Sequence, residues 1–110
     1  MRKRIVCILL SAAAVYAQQS PDTSFHVQFP DPSYPAGKGP LVLIDAAHCN
    51  FHTKDGGFYG FARLLEADGY RVSSLTEPVE AAALKGCRLL VIANSVHPSN
   101  DTSWILPTPS

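Results

Sequence analysis

The sequence predicts an α/β domain on a partial, doubly wound parallel sheet, running β-α-β-α-β with strand order 2-1-3. Three observations carry that reading. Leu41-Val42-Leu43-Ile44 and Leu89-Leu90-Val91-Ile92 are short, wholly apolar runs, as expected of strands covered on both faces of a parallel sheet. Between them, Phe58, Phe61, Ala62 and Leu65 recur at i, i+3, i+4 and i+7, which is one face of a helix. Gly69 and Gly86 fall where the two predicted helices stop, and helix ends favour glycine because it adopts left-handed backbone without a Cβ clash.

Taken in order, the chain opens on a three-part export signal. Arg2, Lys3 and Arg4 form a basic start, residues 5–16 an apolar run, and Val15-Tyr16-Ala17 a cleavage-like exit. That order marks residues 1–17 as a cleavable signal peptide. The run is shorter than the roughly 20 residues a membrane-spanning helix needs. The product is therefore expected to be exported, periplasmic or extracellular, with no membrane span once the signal is removed.

Residues 18–39 contain Pro21, Pro30, Pro32 and Pro35 and read as a proline-rich arm or linker. Phe25, Val27 and Phe29 alternate with His26 and Gln28, so this stretch is either a short edge strand or a segment lying on the domain. The domain proper is expected over 40–110. Its first strand covers 41–44, followed by a polar loop over 45–57. The first helix has Asp55 near its start and Gly69 at its end. A half-apolar strand over 70–75 reads as an edge. Thr76-Glu77-Pro78 offers a cap, an acid and a first-turn proline for a second helix over 79–84. The third strand covers 88–93, and 94–110 is loop.

Right-handed crossovers and a central first strand give the order 2-1-3, the start of a flavodoxin-like sheet. Three strands and two helices leave one sheet edge bare. The chain is therefore expected to be the front half of a larger, truncated domain.

Composition excludes several partners. The formal charge is zero, with nine basic and nine acidic residues, but three of the basic ones leave with the signal. The remainder is mildly acidic and has no basic stripe, which argues against nucleic acid and anionic membranes. After cleavage two cysteines remain, Cys49 and Cys87. The topology puts them at opposite ends of the sheet, so both are expected to be free thiols.

Ligands of open α/β sheets bind beyond the carboxyl ends of the strands, where strand order reverses. The two loops there are Asp45-Ala46-Ala47-His48-Cys49-Asn50-Phe51-His52 and Asn94-Ser95-Val96-His97. Asp45, His48, Asn50, His52 and Asn94 are the candidate ligand-binding residues, and Asp45, His48 and His97 the candidate catalytic ones. Three chemistries compete. Asp-x-x-His-x-x-x-His loosely matches a metal-ligand set, yet many loops would supply one, and no metal is assigned. His48 or His97 would shuttle a proton with Asp45 orienting it. The same groups would also serve as loop-organising hydrogen bonds. The sequence has no Gly-x-Ser-x-Gly elbow and no phosphate loop, and no cofactor is expected. Cys49 is a nucleophile candidate by location alone.

Several segments together resemble a known family. They are Val42-Leu43-Ile44-Asp45-Ala46-Ala47-His48-Cys49-Asn50-Phe51-His52-Thr53, Phe61-Ala62-Arg63-Leu64-Leu65, Asp68-Gly69-Tyr70-Arg71-Val72, Leu90-Val91-Ile92-Ala93-Asn94 and Trp104-Ile105-Leu106-Pro107-Thr108-Pro109-Ser110. Over residues 38–110 they resemble, in one order, the N-terminal half of the bacterial domain of unknown function 4350. The resemblance implies a fold similar to class I glutamine amidotransferases and trehalose-utilisation-type domains, with strands and helices continuing past Ser110. It brings no assigned reaction. The family pattern has Glu where this chain has Ala46 and Asn where it has Cys49. The amidotransferase nucleophile motif does not occur in this segment, so glutamine hydrolysis does not transfer. The expected function is an exported amidotransferase-like domain that binds or hydrolyses a small polar or sugar-like ligand. The alternatives are a non-catalytic binding or scaffold module, or a truncated product without activity.

Overall fold

A computed structural model describes residues 20–100. The predicted export signal and residues 101–110, with the Trp104 segment, lie outside the described residues.

Three strands, β1 (Leu41–Asp45), β2 (Arg71–Leu75) and β3 (Cys87–Val91), and one helix, α1 (Tyr59–Ala67), form the framework. The sheet is parallel throughout, in the order β2-β1-β3. This is the predicted α/β class and the strand order of a partial flavodoxin-like sheet. Strand β1 is central because it is the most apolar: Val42 and Ile44 are each 1% exposed. With Ala62 of α1 and Val72 of β2 they form the core, and Phe58, Leu65, Tyr70 and Val91 pack against it. Burying each of the large aliphatic side chains contributes about 1.5–3 kcal/mol. Strand β2 is the half-exposed edge its sequence suggests, with only Val72 and Leu75 buried.

The helix is held by its exit rather than its entry. Its N-cap residue, Phe58, makes no side-chain cap bond. Asp55, expected near that start, instead faces Arg63 at 3.9 Å. The Thr53 carbonyl accepts the N–H groups of Gly56 and Phe58, winding the chain into the first turn. At the other end the Tyr70 N–H donates to the Leu65 carbonyl and the Gly69 N–H to that of Glu66, both at 3.0 Å. Gly69 has φ +93°. That bond pair with a left-handed glycine is the Schellman termination, and it turns the chain straight into β2. Phe61 lies at the margin of the apolar face, 38% exposed, its ring against that of Phe58.

The second predicted helix is absent. Residues 81–86 form turns, and the Leu84 N–H closes one helical turn onto the Glu80 carbonyl at 3.1 Å. Pro78 and Gly86 leave room for little more than that turn, and the cost of nucleating a helix is not recovered over so few residues. The turn nevertheless lies on the face of the sheet opposite α1. Ala83 lines a cleft of about 280 Å³ there with Leu41, Leu43 and Leu75.

Strand β3 is shorter than predicted, and its pairing slips once. Leu41 pairs with Cys87 but Val42 with Leu89, so Arg88 is an extra residue in a bulge. Its apolar run is not covered on both faces within the described residues: Leu89 is 48% and Ile92 50% exposed.

The proline-rich arm forms no strand among the described residues, and part of it is docked. Asp68, at the end of α1, accepts the Ser33 N–H and hydroxyl at 2.6 and 2.9 Å, and its carbonyl takes the Tyr34 N–H at 3.1 Å. The Tyr34 ring meets Tyr70 edge-on, with centroids 5.2 Å apart. A Cβ on Gly69 would collide with the Tyr34 carbonyl.

Candidate functional site

The parallel sheet aims the carboxyl ends of β1 and β3 at one rim. Asp45, the last residue of β1, is 0% exposed. A bare carboxylate at that depth would be costly, so its oxygens must be satisfied. The following loop does this. The Ala47 N–H donates to Asp45 Oδ1 at 3.1 Å, and Asn50 Nδ2 donates to Oδ2 at 3.0 Å. His48 Nδ1 lies 2.9 and 2.8 Å from the two oxygens. Burial pushes the Asp45 carboxyl upward, but these hydrogen bonds, from His48 first, together with the His48 charge, outweigh it. The carboxyl is held below its ordinary value of 3.8.

An ionised carboxylate only accepts, so His48 Nδ1 carries the proton. In the neutral ring the other nitrogen, Nε2, then carries the lone pair and is an acceptor. The His48 side chain is 41% exposed and lines an open groove of about 240 Å³ with Ala47, Ser95, Val96, His97 and Pro98.

Two loops make the groove, and they are stitched together. The Val96 N–H donates to the His48 carbonyl at 2.9 Å, and Asn50 Nδ2 donates to the Ala93 carbonyl at 3.0 Å. The Asn50 side-chain oxygen takes the His48 N–H at 2.9 Å. Cys49 accommodates this tight return with φ +48°, and Cys49 and Cys87 are both free thiols.

The candidate residues therefore divide. Asp45, His48 and Asn50 form one hydrogen-bonded cluster, and His97 joins His48 at the groove. His52 does not: it lines a different groove with Phe51, Gly56, Gly57 and arm residues Ser20 to Asp22. Its Nδ1 is buried against Gly57 with no hydrogen-bond partner among the described residues, and its ring lies between Phe51 and Phe58. The Asp-x-x-His-x-x-x-His spacing thus brings only its first two members together. Among the described residues no group of three or more His, Cys, Asp or Glu side chains is placed to hold a metal. Asn94 is exposed with φ +50°, carrying the turn after β3. Ser95, Val96, Pro98 and Ser99 were not singled out from sequence. Only His97-x-Ser99 carried a local signal, the short spacing of a side-chain-to-backbone turn.

No helix among the described residues is long and apolar enough to cross a membrane. Comparison with protein-family models, curated proteins and solved structures found no match for this chain.

Proposed function

We propose that the rim groove binds a small polar ligand and that His48 Nε2 acts on it as a general base. The observation that carries this reading is the buried Asp45 carboxylate, both of whose oxygens lie within hydrogen-bond distance of His48 Nδ1. A carboxylate in that position fixes the ring and its tautomer and stabilises the imidazolium that forms on proton uptake. The groove's place beyond the carboxyl ends of parallel strands adds support. Sequence pattern supports the wider proposal, that the chain is exported behind residues 1–17 and is related to the domain of unknown function 4350 and its amidotransferase-like fold.

A second reading has its own observation. Asp45 is hydrogen-bonded by Ala47, His48 and Asn50 at once, which a purely loop-organising residue would also be. The dyad would then build a non-catalytic binding or scaffold module.

Diethyl pyrocarbonate tests the first reading, since it modifies accessible unprotonated imidazole nitrogens. The expected result is modification of His48 at Nε2, slowed when glycerol, glucose, acetate or glutamine is added as a groove probe. A His48 that resists modification, or one that none of the four probes protects, overturns the proposal. N-terminal sequencing of the exported product tests the signal, with cleavage after Ala17 expected.

A further inference from the structure

The second histidine of the groove is held in the opposite tautomer to the first. The Ser99 backbone N–H donates to His97 Nδ1 at 3.2 Å. A backbone N–H can only donate, so Nδ1 is the unprotonated nitrogen and takes the Ser99 hydroxyl at 2.6 Å as a second donor. The proton of the neutral ring therefore resides on Nε2. His48 has the reverse arrangement, with Nδ1–H turned to Asp45. The loop after β1 thus offers the groove an acceptor and the loop after β3 offers it a donor.

We infer that this groove selects a neutral, hydroxyl-bearing ligand, with a hydroxyl donating to His48 Nε2 and a ligand oxygen accepting from His97 Nε2–H. The inference rests on the reading of His48 as a free base and names the ligand class for it. Charge points the same way. Among the described residues no Lys or Arg lines the groove, and the buried Asp45 carboxylate behind His48 disfavours a second anion. Ala47, Val96 and Pro98 supply apolar surface, which suits the C–H face of a small polyol ring. A hydroxyl donates and accepts through one atom, whereas a carboxylate has no proton for His48 at neutral pH.

The test is NMR on the full exported chain at about pH 8, where an ordinary histidine is neutral. Long-range imidazole spectra report the tautomers, with Nδ1–H expected for His48 and Nε2–H for His97. D-Glucose and D-glucuronate, which share a ring and differ by a carboxylate, are then titrated. Glucose is expected to shift the Ala47, Ser95 and Val96 amides and glucuronate to shift them at least about tenfold more weakly. His97→Phe should weaken glucose about tenfold, the loss of one hydrogen bond. Equal binding of the two sugars at these amides overturns the ligand class but leaves the groove as a site. A protonated His97 Nδ1 overturns it as well. No shift from either sugar, with His48 still reactive at Nε2, removes the hydroxyl ligand and keeps the base. A His48 without a proton on Nδ1 fails the underlying reading itself.

Discussion

The Asn50 side-chain amide donates to the backbone carbonyl of Ala93 at 3.0 Å, joining residues 43 positions apart. The same nitrogen reaches Asp45 Oδ2, also at 3.0 Å, so one amide ties the carboxylate under the groove to the loop that forms its other wall.

Asn50→Ala is expected to cost about 1–3 kcal/mol, because it leaves the Ala93 carbonyl and part of the Asp45 carboxylate unpaired. Asn50→Asp should cost more at neutral pH, since it sets a second carboxylate beside Asp45. That excess should shrink on acidification. Urea unfolding of the two variants at neutral and mildly acidic pH checks both statements, and equal losses at every pH would contradict them.

Asp45 links stability to acid pH. Its folded carboxyl lies below the ordinary value of 3.8, so the unfolded chain binds that proton more readily. Its contribution is then complete above the unfolded value and is lost as pH falls through the lower folded one. Stability curves should show an acid limb below about pH 4 that flattens in Asp45→Asn, at the expense of lower stability at neutral pH. An unchanged acid limb in that variant would assign the titration to another group.

Gly69 and Gly86 provide a matched comparison. Both have positive φ, +93° and +77°. A methyl on Gly86 meets nothing within 4 Å among the described residues, whereas one on Gly69 runs into the Tyr34 carbonyl. Gly86→Ala should therefore cost about 1 kcal/mol, the backbone term alone. Gly69→Ala should cost at least about 2–3 kcal/mol, since the docked arm must move as well. Thermal melts of the two variants decide it, and similar losses would mean that the arm yields freely.

Asp68→Ala removes the carboxylate that takes two bonds from Ser33. Trypsin cleavage after Lys38 should accelerate about tenfold, as expected for the loss of roughly one net hydrogen bond from a local opening equilibrium. An unchanged rate would show that the Tyr34–Tyr70 contact suffices to hold the arm.

Much of the fold was legible because periodicity and burial coincide. Val42 and Ile44 sit in an unbroken apolar run and become the core, and Ala62 and Leu65 lie on the helix face their spacing defines. The second helix misled because Thr76-Glu77-Pro78 is a good start with too few residues behind it. Strand β3 reads as a doubly covered strand, yet among the described residues it is an edge: local sequence records apolar character, not what lies beside it. Asp45, His48 and Asn50 were legible as a group because they lie close together in sequence at the carboxyl end of one strand. His52 was misplaced because sequence proximity says nothing about which way a loop turns, and the Gly56-Gly57 bend lets its ring pack between two phenylalanines. The tautomer of His97 was invisible, since it depends on one backbone N–H.

Arg88 also governs the phase of everything that follows it. Parallel partners share a face, so Val42 opposite Leu89 and Ile44 opposite Val91 keep β3's aliphatic residues in step with the helix-side core. If Arg88 were paired in place of being bulged, Val42 would face its guanidinium and every later side chain would swap sides. The bulge works as a one-residue frame correction: it carries a charged residue past the core and delivers Ala93, and with it the far wall of the groove, in register with Asn50.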